Sequence, residues 1–320
     1  MPDPDAGQLG KKHAPSPKNR QGCSVTTDRA RSLRTHCDTC GASGQLWLER
    51  QGRRLFRCSA CGFAWVPEGV VRTIDGVSIY EDDNRALFED FADYYQDASA
   101  GDAAAAKLDW VIRYVKPGGR LLDVGANYGH FVARAAKRFE AIGLEPSIRA
   151  VRWGESHLQA PVKIGSISDE YPEFIGRFQA ITLFDVIEHL DNPRVAIERC
   201  RRYLAPGGCL FVTTPDAGSV VARLLGKRWY HLDLEQHVSI FSSSNLTRLL
   251  SEYGFVAIGW RRFGRRYRLS YIDRRLHDLG RENGLFSVAR AVAFPLRLFP
   301  ERRVSINLHD VTGLVAHVRP

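Results

Sequence analysis

Long apolar segments are missing from this chain of 320 residues, although 44% of its residues are hydrophobic and 25% are charged. The sequence has no run of about 18 apolar residues, the length that a membrane-spanning helix requires. Its first residues, MPDPDAGQLGKKHAPSPKNRQG, also lack the apolar core of a secretory signal peptide. These absences exclude a membrane bundle and predict a soluble, cytoplasmic protein of one large or two modest domains with reduced thiols.

Large apolar residues are also scarce in residues 1–34, which are rich in proline, glycine, serine, lysine and arginine. A segment that can bury so little apolar surface does not offset the entropy of ordering. We therefore expect residues 1–34 to form a disordered basic arm, which is either solvated or in contact with nucleic acid.

Positive charge exceeds negative charge: 45 Lys and Arg face 36 Asp and Glu, which gives a formal net charge of +9. This balance favours an anionic partner, such as nucleic acid, a phosphorylated molecule or a membrane surface. Twelve arginines and only four acidic residues lie between Arg261 and Arg303, so most of the excess belongs to one segment. The planar guanidinium of arginine suits phosphate groups in particular.

Four of the seven cysteines form two Cys-x-x-Cys pairs that are separated by 17 residues. This spacing is typical of a zinc site with four thiolate ligands. We predict a zinc ribbon over residues 35–68 whose ligands are Cys37, Cys40, Cys58 and Cys61. Because four thiolates leave no coordination position for water or substrate, the Zn²⁺ would be structural.

Helical spacing of apolar residues over 84–115 predicts a helical connector within residues 69–116. Beyond it, strands and helices alternate over 117–320, a pattern typical of a parallel sheet with crossover helices. The predicted strands are 120–125, 140–145, 161–165, 178–185 and 209–214. The predicted helices are 129–138, 147–157, 193–203 and 243–253.

A glycine-rich turn follows the first predicted strand of this domain, where Gly125 and Gly129 flank three residues. Such a turn lets a ligand approach the backbone at the sheet edge where open α/β proteins bind ligands. Glu145 ends the next strand, where a carboxylate can accept hydrogen bonds from ribose hydroxyls. Gly125 could simply form a turn and Glu145 could cap a helix, but together they favour a nucleoside ligand. The glycine spacing does not match a dinucleotide site.

Several segments resemble, in order, the motifs of the class I S-adenosylmethionine-dependent methyltransferases: LLDVGANYGHF, GLEPS, FQAITLFDVIEHLDNP and RRYLAPGGCLFVTTPD. The later segment WYHLDLEQHVSIFSSSNLTRLLSEYGF resembles a bacterial subgroup that carries a four-cysteine zinc ribbon before this domain and acts on small molecules such as sugars. The resemblance implies an α/β fold with a Rossmann-like seven-stranded sheet over 117–320. It also implies a helical insertion at 261–310, before the last strand.

The resemblance further implies S-adenosylmethionine as the cofactor. Its methionine end would lie at Asp123 and Gly125, and its ribose at Glu145. Gly129 would let it approach the backbone closely, and Phe184 and Asp185 would line it. Ser166 stands near the adenine, where many relatives carry an acid.

A base that removes a proton from the methyl acceptor would be His237 or, as second choice, His231, since both follow the fifth strand on the acceptor side. Each of these histidines could instead be a hydrogen-bonded structural imidazole. Glu188 and His189 could stabilise the loop after the fourth strand.

Three functions remain open at this point. The first is methyl transfer to a small, anionic acceptor, namely a sugar, a polysaccharide precursor or a secondary metabolite. The second is methylation of RNA, whose backbone the zinc ribbon and the basic insertion would bind. The third is a non-catalytic binding protein that has kept the fold. The apolar end of the insertion could form a lid or touch a membrane surface.

The cysteine spacing yields the first testable prediction: protein prepared without chelator should carry one tightly bound zinc per chain. The reason is that four thiolates at this spacing bind zinc as the domain folds. Metal analysis of the purified chain and of Cys58→Ser would check it, with Cys209→Ser as the control. A parent protein without zinc would contradict the prediction.

Overall fold

The structure is a computed structural model that describes residues 34–50, 52–69, 98–270 and 302–318, with short pieces at 73–74, 77–78, 272–273, 277 and 298–299. The predicted arm, apart from Arg34, therefore lies outside the described residues, and so do the first part of the predicted connector and most of the insertion. Among the helices that are described, none is both long enough and apolar enough to cross a bilayer.

Residues 34–69, which contain both cysteine pairs, form the four-cysteine ribbon. Its strands are β1 (Gly44–Arg50), β2 (Arg53–Cys58) and β3 (Ala64–Trp65). A separate short pair of strands follows: β4 (Thr73–Ile74) and β5 (Val77–Ser78).

The α/β part of the chain begins with a helix and ends with a strand. Its strands are β6 (Arg120–Val124), β7 (Glu140–Glu145), β8 (Val162–Ile164), β9 (Phe178–Phe184), β10 (Leu204–Pro215), β11 (Ser239–Ile240), β12 (Phe255–Arg262), β13 (Arg265–Arg268), β14 (Arg303–Ile306) and β15 (Val311–Val318). Its helices are α1 (Ala98–Ile112), α2 (His130–Ala135), α3 (Ile148–Leu158), α4 (Pro193–Tyr203), α5 (Val220–Leu225) and α6 (Ser243–Glu252). Single 3₁₀ turns lie at Pro172–Phe174, Ile187–His189 and Gly226–Arg228.

Seven strands form the central sheet in the order β12-β15-β10-β9-β6-β7-β8. The five from β10 to β8 run parallel, and β15 pairs antiparallel with both β10 and β12. The chain moves outward from β6 in one direction and from β9 in the other, so these two strands flank the topological switch point. The arrangement confirms the Rossmann-like seven-stranded sheet that the sequence predicts.

The ends of several elements differ from the predicted ones. Strand β10 starts at Leu204, five residues before the predicted start at 209, because Leu204 already pairs with Phe178 of β9 ahead of the bend at Gly207 and Gly208. Helix α2 stops at Ala135, and a turn in which the N–H of Arg138 donates to the carbonyl of Ala135 replaces its predicted last residues.

The insertion at 261–310, predicted to be helical, begins and ends in strands within the described residues. Strand β12 runs to Arg262, and β13 pairs antiparallel with β14 beyond it. Because β12 and β15 are antiparallel neighbours, the segment after β12 and the segment before β15 can pair in turn, as β13 and β14. Gly264 lies between β12 and β13, where the two segments come close: a Cβ on it would lie 3.0 Å from the carbonyl oxygen of Ile306.

The four-cysteine ribbon packs into the α/β part. Strand β3 pairs antiparallel with β11, so that Ser239 lies opposite Trp65 in one four-stranded sheet. Phe63 stacks on Trp65, and its ring centroid lies 4.9 Å from that of Phe241. The side chain of Asn245 on α6 donates to the carbonyl of Cys61 at 2.8 Å. The ribbon is therefore part of the main hydrophobic core.

This packing predicts that Trp65→Ala lowers the stability of the whole chain, not of the ribbon alone. Trp65 is fully buried, and removal of a buried tryptophan side chain reduces the free energy of unfolding by about 3–5 kcal/mol. Urea unfolding followed by the helical circular dichroism signal would measure the change, because the helices lie outside the ribbon. Leu46→Ala, at a half-exposed position of β1, should change little and is the control. An unshifted helical transition in Trp65→Ala would contradict the prediction.

Candidate functional site

A glycine turn lies at the carboxyl end of β6, at the switch point of the sheet. Gly125 and Gly129 have φ values of 72° and 76°, a left-handed conformation that other residues rarely adopt. A Cβ on Gly125 would lie 2.5 Å from Cγ2 of Val186, and one on Gly129 would lie 2.5 Å from Cβ of Ala160. Only glycine fits these positions, because a side chain on either would run into the packed neighbours of the turn.

Glu145 lies at the end of β7 and is 8% exposed. Its carboxylate accepts hydrogen bonds from the N–H groups of Asn127 (2.8 Å) and Ser147 (2.9 Å), so it ties the glycine turn to the start of α3. Burial raises the pKa of Glu145, and the two hydrogen bonds oppose that rise. The side chain of Ser147 caps α3 by accepting from the N–H of Ala150. A carboxylate has further acceptor positions, which ribose hydroxyls can use.

Asp123 is 3% exposed and lies on β6, two residues before Gly125. The hydroxyl of Thr182 on the neighbouring β9 donates to its carboxylate at 2.5 Å. Burial raises the pKa of Asp123 to about 7, although Thr182 and the cation of Lys107 oppose this shift and Glu145 adds to it.

Phe184 and Asp185 lie where β9 ends, beside the carboxyl end of β6. Asp185 has a φ of 60°, and its N–H donates to the carbonyl of Thr213 at 3.0 Å. Lys107 of α1 reaches this corner: its Nζ lies 2.9 Å from Oδ2 of Asp185 and 4.9 Å from the ring centroid of Phe184. The sequence analysis did not identify Lys107 as a site residue. Its only mark in the sequence is that it is the cation of an alanine-rich helical turn.

Ser166 lies two residues after the end of β8. Its N–H donates to Oδ2 of Asp169 at 3.0 Å, and its hydroxyl accepts from the N–H of Ser168 at 3.0 Å. A carboxylate is therefore present three residues further along the chain, at a position that the sequence pattern did not indicate.

Three histidines come together on the other side of the β9 end. The ring centroids of His189 and His237 are 4.8 Å apart, and those of His231 and His237 are 6.0 Å apart. Glu188, which is 2% exposed, belongs to the same group. The two predicted bases therefore lie close together, with Glu188 and His189 beside them.

Asp310 also faces this group, although it lies at the distant end of the insertion. Its Oδ2 is 3.6 Å from Nε2 of His231 and accepts a hydrogen bond from the hydroxyl of Tyr230. Residues of the loop that carries His231 and of the two ends of the insertion form a small cleft here, lined in part by Phe263 and Leu308. The sequence offered no signal for Asp310, because its role depends on the return of the chain from the insertion.

The four predicted metal ligands meet at one point of the four-cysteine ribbon. Sγ of Cys37 lies 3.4 Å from Sγ of Cys61, and Sγ of Cys40 lies 3.4 Å from Sγ of Cys58. The hydroxyl of Thr39 lies 3.2 Å and 3.0 Å from the sulfurs of Cys37 and Cys61. This compact set of four sulfurs fits a tetrahedral metal ion.

The cysteine pKa values differ between positions. Burial raises the pKa of the Cys37 thiol. Burial also opposes ionisation of Cys58, but the N–H groups of Cys61 and Ala60 and the thiol of Cys40 outweigh it and lower its pKa to about 7. A bound cation would stabilise all four thiolates.

Residues 95–258 match the model of a family described as a methyltransferase domain. Proteins named ubiquinone biosynthesis O-methyltransferase from Xanthomonas campestris pv. campestris (strain B100) and Xanthomonas oryzae pv. oryzae (strain PXO99A) are each 34% identical over 143 residues. These matches cover 39% of this chain and 60% of each relative, so the chain spans less than two thirds of their length.

Solved structures match over a larger share of the chain. A crystal structure from Bacillus halodurans C-125, provisionally assigned as a methyltransferase, is 18% identical and covers 67% of this chain and 98% of that chain, with a TM-score of 0.51. A protein from Pyrococcus horikoshii OT3 is 14% identical and covers 73% of this chain and 99% of that chain, with a TM-score of 0.50. At this identity the matches show the fold alone.

The raised pKa of Asp123 predicts a pH-dependent stability. The folded-state pKa of about 7 lies above the ordinary aspartate value, so the folded protein holds this proton more tightly than the unfolded chain. Its contribution to the free energy of unfolding is present below about pH 4 and is lost as the pH rises through about 7. Asp123→Asn removes the titrating group and should flatten the decline over this range.

Urea unfolding at several pH values would measure this difference. Asp109→Asn, at an exposed acid of α1, is the matched control and should follow the parent protein. Equal slopes for Asp123→Asn and the parent protein would show that burial does not shift this group.

Proposed function

The chain belongs to the family described as a methyltransferase domain, and on this premise we propose that it transfers the methyl group of S-adenosylmethionine to an oxygen of a small, anionic acceptor. The observation that carries the proposal is the pairing of the glycine turn with Glu145 at the switch point. A tight glycine turn and a buried carboxylate at this position suit a nucleoside ligand.

S-adenosylmethionine supplies a methyl group that its sulfonium already activates, so the protein has chiefly to bind, orient and exclude water. Glu145 would hold the ribose hydroxyls, and Gly125 and Gly129 would let the ligand approach the backbone. Asp123 and Lys107 offer an acid and a cation for the amino and carboxylate groups of the methionine end. Phe184 would cover one side of the cofactor.

The acceptor class is inferred from two separate observations. The relatives named O-methyltransferases favour an oxygen acceptor of small size. The twelve arginines between Arg261 and Arg303 favour an acceptor that carries negative charge, such as a phosphorylated sugar or a polysaccharide precursor. The histidines His231 and His237 would lie beside the reacting hydroxyl, with Asp310 orienting His231.

The four-cysteine ribbon is proposed to hold a structural zinc ion. The support is its set of four sulfurs, each pair of which lies within 4.8 Å. Such a site stabilises the ribbon but leaves no coordination position for the acceptor.

RNA methylation is the second candidate. The observation that favours it is on the ribbon surface, where the guanidinium carbon of Arg57 lies 5.2 Å from the ring centroid of Trp47 beside an open hollow. A cation next to an aromatic ring is a common arrangement for binding nucleic acid. Binding of RNA that weakens steeply with salt, together with methyl transfer to it, would favour this function.

The proposal predicts that Glu145→Gln binds S-adenosylmethionine at least about tenfold more weakly than the parent protein, because a neutral amide accepts fewer hydrogen bonds from ribose. Isothermal titration calorimetry measures this affinity. Glu140→Gln, at a largely exposed glutamate on the other end of β7, is the matched control and should bind as the parent does.

Transfer of labelled methyl groups to candidate acceptors tests the reaction itself. Binding of the cofactor with no transfer to any anionic small acceptor or RNA would favour a non-catalytic binding protein. No cofactor binding by the parent protein would overturn the proposal.

A further inference from the structure

Glu188, His189 and His237 bring one carboxylate and two imidazoles together. We propose that they bind a divalent metal cation, which holds the reacting oxygen of the acceptor. Their candidate ligand atoms all lie within 4.8 Å of one another. In the part of the chain that the structure describes, the four cysteines are the other group with this property. The role given to the cation rests on the proposed function, whereas cation binding itself does not.

Both imidazoles are held in one tautomer by backbone carbonyls. Nδ1 of His189 donates to the carbonyl oxygen of Gln236 at 3.0 Å, and Nδ1 of His237 donates to that of His231 at 2.7 Å. A neutral imidazole that donates from Nδ1 carries its lone pair on Nε2, the atom that binds metal. Hydrogen bonds of this kind from the other ring nitrogen are the usual support of histidine ligands in metal sites.

The carboxylate belongs to a rigid and buried part of the same arrangement. Glu188 is 2% exposed and lies in the 3₁₀ turn Ile187–His189, directly after β9. Its backbone carbonyl accepts from the N–H of Val238 at 2.9 Å, next to His237 in the chain. Two loops that hydrogen-bond to each other therefore supply the candidate ligands, one directly after β9 and one before β11.

Two nitrogen ligands and one oxygen ligand select the kind of cation. Imidazole favours first-row transition metals, whereas Mg²⁺ and Ca²⁺ prefer oxygen ligands. Three protein ligands also leave coordination positions for oxygen atoms of a second molecule. The proposed site thus differs from the four-cysteine site, and it suits Mn²⁺, Co²⁺ or Zn²⁺ with the acceptor oxygen as a further ligand.

A cation at this point lowers the pKa of a hydroxyl that it binds. The acceptor hydroxyl gives its proton to His231, whose ring lies 6.0 Å from that of His237 and faces Asp310. The oxygen then forms a bond to the methyl carbon as the carbon–sulfur bond breaks. The sulfur keeps the electron pair, and S-adenosylhomocysteine leaves.

The test uses the full chain with its zinc in place, treated with a weak chelator and then titrated with Mn²⁺ alone. Electron paramagnetic resonance counts the bound Mn²⁺ without cofactor or acceptor. The parent protein should bind one Mn²⁺ per chain, and Glu188→Gln and His189→Gln should each bind at least about tenfold more weakly. His157→Gln, at an exposed histidine of α3 that stacks on Trp153, is the matched control and should bind as the parent does.

Each outcome decides the proposal. A parent protein that binds no Mn²⁺, or folded Glu188→Gln and His189→Gln variants that bind it as the parent does, would overturn it. Methyl transfer that persists in such a metal-free protein would leave the proposed function intact, with His237 as a base. Mn²⁺ binding in a protein that fails to bind S-adenosylmethionine would instead support the cation site and remove the proposed function.

Discussion

The parallel pairing of β6 with β9 is the constraint on which the candidate site depends. Because the two strands run side by side in the same direction, the segments that follow them meet at one edge of the sheet. Gly125 after β6 lies against Val186 after β9, so closely that a Cβ would not fit. The glycine turn therefore touches the segment that carries Asp185, Glu188 and His189. The proposed cofactor and acceptor sites would thus be neighbours through a single strand pairing.

The four-cysteine ribbon is connected to this edge of the sheet through the loop that carries His231 and His237. His237 lies two residues before β11, and β11 pairs with Ala64 and Trp65 of the ribbon. Arg34, at the start of the ribbon, donates to the carbonyl of Val238 at 3.1 Å. The loop that carries His231 and His237 thus ends on a strand that the ribbon holds. A structural metal in the ribbon would fix the acceptor side without touching the acceptor.

The sequence predicted those features that depend on neighbours in the chain. Strand β7 and helix α4 have the predicted bounds, because periodicity, a proline start and glycine turns are local signals. The strands at both ends of the insertion were missed, because their pairing joins residues almost forty positions apart.

The candidate site shows the same division. Gly125, Gly129 and Glu145 stand in recognisable turns and strand ends, whereas Lys107 and Asp310 enter from α1 and from the return of the insertion. Only tertiary packing brings these two charges to the site, and no local pattern marks them.

The imidazoles of the acceptor side also serve as links between loops. His189 donates to the carbonyl of Gln236, and His237 donates to the carbonyl of His231, so each ring fixes the backbone beside or at another histidine of the group. This mutual support makes the geometry of the group cooperative, since movement of one ring releases the carbonyl that orients its neighbour. It also explains why a structural role and a chemical role need not exclude each other here. The Nδ1 atoms hold the loops together, and the same hydrogen bonds place the lone pair of each neutral ring on Nε2, the atom that binds a metal in the proposed site.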